Sequence, residues 1–107
     1  RKLVPVEQAI RMMTSTPAKL FGLRDRGEIR EGAFADLVVF NPDTVDSEAA
    51  RLVHDLPGGS ARLTAPSIGV KRVLVAGVAV IVDGEATGNT PGTILHSGRD
   101  TYTVTAR

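Results

Sequence analysis

The first part of the chain carries hydrophobic residues at helical spacing. In residues 5–14, PVEQAIRMMT, the apolar side chains of Val6, Ile10 and Met13 recur at intervals of four and three. This spacing places them on one face of an α-helix. Pro5 suits the first helical position, because a backbone N–H at that position would have no acceptor within the helix. The pattern therefore predicts a helix over residues 5–14 with one apolar stripe.

A second, shorter helix is predicted directly after the first. Thr16 is a favourable N-cap residue and Pro17 a favourable first helical residue. Gly22 is typical of a helix end, since glycine readily takes the left-handed conformation that closes a helix. Residues 5–22 are thus expected to form a helix, a corner and a helical turn.

Further along, the hydrophobic spacing changes from helical to strand-like. Residues 37–40, LVVF, form an uninterrupted apolar run typical of a buried strand. In residues 71–85, valines alternate with other residues on both sides of Ala76 and Gly77, which predicts a β-hairpin. Alanine is disfavoured at positive φ, so we expect Gly77 alone to take the left-handed position, beside a bulge. Gly84 marks a second turn.

These elements predict an α+β chain that is mainly β. Residues 1–26 are interpreted as a helical segment with a linker, and residues 27–95 as a β-domain piece. Residues 45–69 lack a clear period and are expected to form a long surface loop, with a helical turn at SEAARL. The polar residues 96–107 are expected to form an extended tail.

Composition narrows the possible functions. The 107 residues include 13 basic and 12 acidic side chains, a net charge of +1, with one Tyr, three Phe and no Trp. This balance offers neither the basic surface nor the stacking side chains of a nucleic-acid-binding protein. With no Cys, disulfides and thiol chemistry are excluded, and a cytoplasmic location is expected. No apolar run is long enough to span a membrane, so no membrane partner is expected.

Candidate chemistry is sparse. His54 and His96 stand in no recognised metal-ligand spacing, and His54, beside a Gly-Gly pair, is the weak candidate for substrate binding. Asp36 stands directly before the apolar strand, where its carboxylate could accept N–H bonds from the preceding turn, so we favour a structural role. Charges of alternating sign precede it and are interpreted as a solvated surface: Arg24, Asp25, Arg26, Glu28, Arg30 and Glu31.

Two stretches together resemble a known family. TSTPAKLFGLRDRGEIREGAFADLVVFNPDTV, residues 14–45, is similar to the C-terminal segment of metal-dependent amidohydrolases. VLVAGVAVIVDGEATGNTPGTIL, residues 73–95, resembles the hairpin and tail that follow in that family. The ending from Gly84 to Leu95 favours the N-acyl-D-amino-acid deacylases, or D-aminoacylases. Ala76 departs from the pattern, since asparagine is usual before this glycine.

The resemblance implies that the chemistry lies outside this chain. In such enzymes a zinc-bound water hydrolyses an amide, and the metal-binding and catalytic residues come from barrel strands that precede the last barrel helix, placed here at residues 5–14. No catalytic or metal-binding residue is therefore expected in this sequence, and zinc is expected only in the longer protein. Asp36, Gly77 and Gly84 are expected to be structural residues within part of a small β-sandwich domain.

The resemblance also implies partners. The rest of the amidohydrolase chain, its barrel and N-terminal β strands, would cover this segment, and the segment alone is expected to be inactive and to self-associate. Two alternatives stay open at this point. One is an amidohydrolase acting on a cyclic amide or deaminating a base, and the other is a free-standing, non-enzymatic β-rich interaction module.

Overall fold

The computed structural model describes residues 3–105. Helix α1 spans Val6–Met13 and helix α2 spans Ser15–Leu20, so the predicted helix, corner and helical turn are confirmed. Thr14 forms the corner, and its hydroxyl donates to the carbonyl of Ile10 at 2.7 Å. The prediction that Thr16 caps the second helix is wrong. The corner is tighter than expected, so α2 begins at Ser15 and Thr16 lies within it.

Helix α2 ends as its sequence predicts. Gly22 has a φ of 66°, the N–H of Leu23 donates to the carbonyl of Ala18 at 2.8 Å, and the N–H of Gly22 donates to Lys19 at 3.2 Å. These two bonds form a Schellman motif. A Cβ at Gly22 would lie 2.4 Å from the carbonyl oxygen of Tyr102, so glycine also lets the tail approach closely.

Strands form most of the remaining regular structure. In chain order they are β1 Leu37–Phe40, β2 Asp46–Ser47, β3 Arg51–Val53, β4 Arg62–Thr64, β5 Ser67–Ile68, β6 Val70–Val75, β7 Val78–Val82 and β8 Glu85–Ala86. β1, β6, β7 and β8 pair antiparallel in that order to give a four-stranded sheet. The predicted hairpin is thus confirmed, with β1 beside it.

Residues 41–69, here called the arm, differ from the predicted loop. β2 pairs with β5 and β3 pairs with β4, both antiparallel, around a 3-10 turn at Pro57–Gly59. Together with the β1–β6 pairing, this nests residues 37–75 into one long, irregular hairpin. The expected helical turn at SEAARL does not form, because Ser47 at its start and Arg51 and Leu52 at its end pair across the hairpin instead.

Burial in the sheet is lower than the sequence predicts. β1 was expected to be a buried strand, and this is wrong: Val38 and Val39 are 56% and 50% exposed. β1 is an edge strand, and within it only Leu37 and Phe40 are half-buried. In helix α1, Met13 is 68% exposed and no residue is buried. The apolar stripe predicted for this helix therefore faces largely outward.

The chain has little interior of its own. Among residues 3–105, Ala18 is the one hydrophobic residue that is buried. The accessible surface is 8745 Å², whereas a compact protein of this mass exposes about 5,700 Å². The radius of gyration is 16.4 Å, against about 13 Å for a compact domain of this length. The fold is thus an open arrangement of thin layers.

In outline, the fold class is confirmed as a helical segment followed by small antiparallel sheets, mainly β. Three separate sheets are present among the described residues, and they form no closed barrel. None of the helices in residues 3–105 is long and apolar enough to cross a membrane. The tail returns to the helical segment, where Thr101 forms a β-bridge with Leu23.

Candidate functional site

The carboxylate of Asp36 joins two distant parts of the chain. Its Oδ1 accepts a hydrogen bond from the N–H of Ala76 at 2.9 Å, and its Oδ2 is paired with Nη1 of Arg26. Beside it, the N–H of Gly77 donates to the carbonyl of Ala35 at 2.9 Å. We call this group of five residues the Asp36 junction. It ties the β6–β7 turn to the residues that enter β1.

The prediction that the turn just before Asp36 donates backbone N–H groups to its carboxylate is wrong. Asp36 binds the N–H of Ala76, 40 residues further along the chain. Antiparallel pairing explains the choice, because Leu37 pairs with Leu74 and so brings the β6–β7 turn beside the start of β1. Both carboxylate oxygens are engaged by donors of the chain itself.

Arg26 is not the solvated surface charge that the sequence predicts. Its side chain is 17% exposed, and its guanidinium lies over the ring of Phe34, 4.1 Å from the ring centre. Arg24 lies likewise over the ring of Tyr102, at 4.1 Å. Guanidinium groups stack favourably on aromatic faces. Arg26 therefore links the segment after α2 to the sheet, while Arg24 links it to the tail.

The two turns of the sheet share one backbone geometry. Ala76 and Gly77 have φ of 49° and 79°, and Asp83 and Gly84 have φ of 48° and 85°. Positive φ at both central residues is characteristic of the type I′ hairpin turn. The expectation that glycine alone takes the left-handed position in the first turn is wrong. Alanine is strained there, by about 1–2 kcal/mol, and the bond to Asp36 helps to hold it.

The tip of the arm contains the weak substrate-binding candidate. His54 is exposed, and its Nδ1 lies 3.2 Å from the carbonyl oxygen of Gly59. Next to it, Asp55 accepts two hydrogen bonds from Arg62, of 2.7 and 2.6 Å, and these bonds lower the pKa of Asp55. The polar side chains at the tip therefore bind to other residues of the tip. No contact of His54 identifies a substrate, and its binding role stays a prediction.

A second charged turn lies in the tail. The carboxylate of Asp100 accepts the main-chain N–H of His96 at 2.7 Å and the guanidinium of Arg99 at 2.7 Å. The Arg99 bonds and the His96 N–H together lower the pKa of Asp100 to about 2. His96 thus takes part through its backbone, and the turn orders a segment predicted to be merely extended.

Comparison with known proteins assigns the chain. The sequence profile of the Amidohydrolase family matches residues 1–86. The chain belongs to the amidohydrolase family. It is 42% identical over 94 residues to N-acyl-D-glutamate deacylase of Alcaligenes xylosoxydans xylosoxydans, an alignment covering 88% of this chain and 17% of that protein. No solved structure matches it.

Two further relatives from the same organism agree. The D-aminoacylase is 38% identical over 93 residues, covering 87% of this chain and 17% of that protein. The N-acyl-D-aspartate deacylase is 37% identical over 102 residues, covering 92% and 18%. The chain therefore spans less than one fifth of the length of these amidohydrolase relatives.

Amidohydrolases generally bind a metal, but the residues described here do not fit one. Within residues 3–105, no three His, Asp or Glu side chains lie close enough together to hold a metal ion. Four carboxylates are each bound by an arginine: Asp25, Asp36, Asp55 and Asp100. Zinc sites need at least three converging donors, so these residues supply no step of metal chemistry.

Proposed function

We propose that this chain is the C-terminal segment of an N-acyl-D-amino-acid deacylase. The longer protein would be a cytoplasmic, zinc-dependent hydrolase that cleaves the amide bond of N-acyl D-amino acids. One observation carries the proposal, the 42% identity to an N-acyl-D-glutamate deacylase across 88% of this chain. Because relatives named for glutamate and aspartate both match, an acidic D-amino acid is the first substrate class to test.

Within that enzyme, the segment would be a non-catalytic piece of a small β-sandwich domain. The site geometry supports this role, since Asp36 holds a turn and Asp55 and Asp100 are each bound by a neighbouring arginine. General acid–base catalysis needs a group free to exchange a proton with substrate. The barrel and the N-terminal β strands of the same protein would supply the chemistry and cover the exposed sheet.

The decisive experiment is an assay of the longer protein encoded by the gene. It should release free amino acid from N-acetyl-D-glutamate or N-acetyl-D-aspartate, with the L enantiomers as the matched control. Zinc chelation should abolish this activity, and added zinc should restore it. Hydrolysis of a cyclic amide, deamination of a base, or equal rates on both enantiomers would overturn the substrate proposal.

The isolated 107-residue chain offers a second test. It should show no deacylase activity with added zinc, and sedimentation should show at least a dimer. The reasons are the open edge of β1 and the outward-facing stripe of α1, since unpaired strand edges and apolar patches favour association. A well-folded monomer at high concentration would contradict the association, and zinc-dependent turnover would contradict the non-catalytic role.

A further inference from the structure

The arm carries an exposed pair of leucines. Leu52 in β3 and Leu63 in β4 are direct cross-strand partners, so their side chains lie on the same face of this two-stranded ladder. They are 60% and 71% exposed. The next pair along the ladder turns to the other face, because side chains alternate along a strand. One face of the arm is thus apolar and uncovered.

The opposite face of the ladder carries the two arginines, Arg51 and Arg62, both of them exposed. There Arg51 lies opposite Thr64, and Val53 lies opposite Arg62. The guanidinium of Arg62 binds the carboxylate of Asp55 through two hydrogen bonds. Charged side chains are costly to bury, so this is the face that we expect to stay in water. The two faces of the arm therefore differ in polarity, and only the leucine face is suited to burial.

A ribbon of this kind needs support. Two-stranded hairpins are at best marginally stable in water, and a third layer against one face is the usual remedy. Within the described residues, the four arm strands pack extensively only on their own partners. The leucine face is therefore the part of the arm that a covering layer would bury.

The area of exposed surface on this chain indicates how large the covering partner must be. The 8745 Å² surface exceeds that of a compact protein of this mass by about 3,000 Å². A standard protein interface removes about 800 Å² from each partner, and large obligate dimers remove about 1,000–2,500 Å². A second copy bound through a standard interface would thus leave much of the excess exposed, and even a large obligate interface would not cover all of it. The relatives are more than five times longer than the chain and have ample mass to cover it.

We infer that the Leu52–Leu63 face of the arm docks on another part of the same, longer amidohydrolase chain, and that the Arg51 face stays in solvent. The inference rests on the proposed function, in that it takes this chain to be a segment of such an enzyme. It adds an interaction surface and its orientation, which neither the family profile nor the relatives specify.

Cysteine accessibility in the longer protein tests this surface. Leu63→Cys probes the docked face and Arg51→Cys, on the neighbouring ladder pair, probes the free face. Maleimide labelling, followed site by site by mass spectrometry and normalised to the denatured protein, should be at least ~10-fold slower at position 63 than at position 51.

The outcomes separate the alternatives. Slow labelling at position 63 that does not change on dilution supports docking within one chain. Equal labelling at both positions, or slow labelling that disappears on dilution to a monomer, overturns the inference. Deacylase activity is measured on the same samples. An inactive protein in which position 63 is protected would contradict only the proposed function. An active protein in which position 63 reacts rapidly would contradict only the docking.

Discussion

The Asp36 junction closes the base of the long hairpin of residues 37–75, and the arm forms the far part of that hairpin, but the two regions are held in different ways. In the junction, one carboxylate binds a backbone N–H 40 residues away and an arginine that also stacks on Phe34. In the arm, strands pair only with their nested neighbours, and Leu52 and Leu63 lie open to solvent. The first region is fixed within the chain, whereas the second depends on what surrounds it.

This difference shows how a segment can have ordered parts without a core. The junction replaces apolar burial with charge-assisted hydrogen bonds, which are about twice as strong as neutral ones. The arm has backbone pairing but no third layer, and pairing alone stabilises a ribbon little. Stability should therefore be uneven along this hairpin, and each prediction below measures that unevenness.

The largest expected effect is in hydrogen exchange of the 107-residue chain. Backbone amides of β6 and β7, which lie inside the four-stranded sheet, should exchange at least ~10-fold more slowly than those of β3 and β4. In the longer protein the two sets should approach each other, because we propose that the arm is covered there. Equal rates in the 107-residue chain would remove the contrast between junction and arm.

The next largest effect is expected at the junction itself. Asp36→Ala removes the acceptor of the Ala76 N–H and the partner of Arg26, whose side chain is only 17% exposed. Because the bond to Ala76 is exposed, water can replace part of it, and the net cost should be about 0.5–1.5 kcal/mol. Exchange at the Gly77 amide should therefore accelerate roughly 2- to 13-fold. Asp36→Asn should lie between, because it can still accept from Ala76.

Two further readouts sharpen that result in the longer protein. Arm amides should not respond to either substitution, since no arm residue contacts Asp36 in the described structure. The proposed deacylase turnover should survive, at a temperature where the variants stay folded. A stable, well-folded Asp36→Asn protein with no activity would show that this carboxylate belongs to the chemistry after all.

Local pattern was sufficient to predict parts of this fold. The stripe of α1, the glycine that ends α2 and the turn at Gly77 are all short-range features, and each element forms where expected. The arm was missed because its strands are two or three residues long and alternate poorly. They form because β1 and β6 pair and bring the two sides of the arm together, a constraint absent from any short window of sequence.

The site residues show the same limit. Asp36 drew attention because a charge stood against an apolar run, but its donor could not be placed without the β1–β6 register. Arg26 looked like one surface charge among several, since nothing in the order of charges indicates that it stacks on Phe34. Arg62 and Asp55 flank the Pro-Gly-Gly turn, a spacing that could have suggested their pairing across a hairpin.

A smaller effect is expected at the first turn of the sheet. Ala76 has a φ of 49°, and asparagine tolerates this conformation better. Ala76→Asn should therefore stabilise the β6–β7 turn by about 0.5–1 kcal/mol, measured as slower exchange of the Gly77 amide. Asp83→Asn in the second turn is the matched control and should change little, because aspartate already suits that position. A faster-exchanging Ala76→Asn variant would contradict the strain at Ala76.

The smallest effect is expected from acid in the tail. The pKa of Asp100 is lowered from its ordinary value of 3.8 to about 2, chiefly by hydrogen bonds from Arg99 and then from the His96 N–H. A carboxyl with a lowered folded pKa contributes stability that is complete above 3.8 and is lost as the pH falls through 2. The side-chain carboxyl resonance of Asp100 should therefore hold constant down to about pH 4 and shift as the pH falls from 4 through 2. Asp100→Asn should flatten this titration, while Asp55, bound by Arg62, should still give a low-pH transition at the arm tip. An Asp100 carboxyl that titrates near 4 would show that the turn at His96 is open in solution.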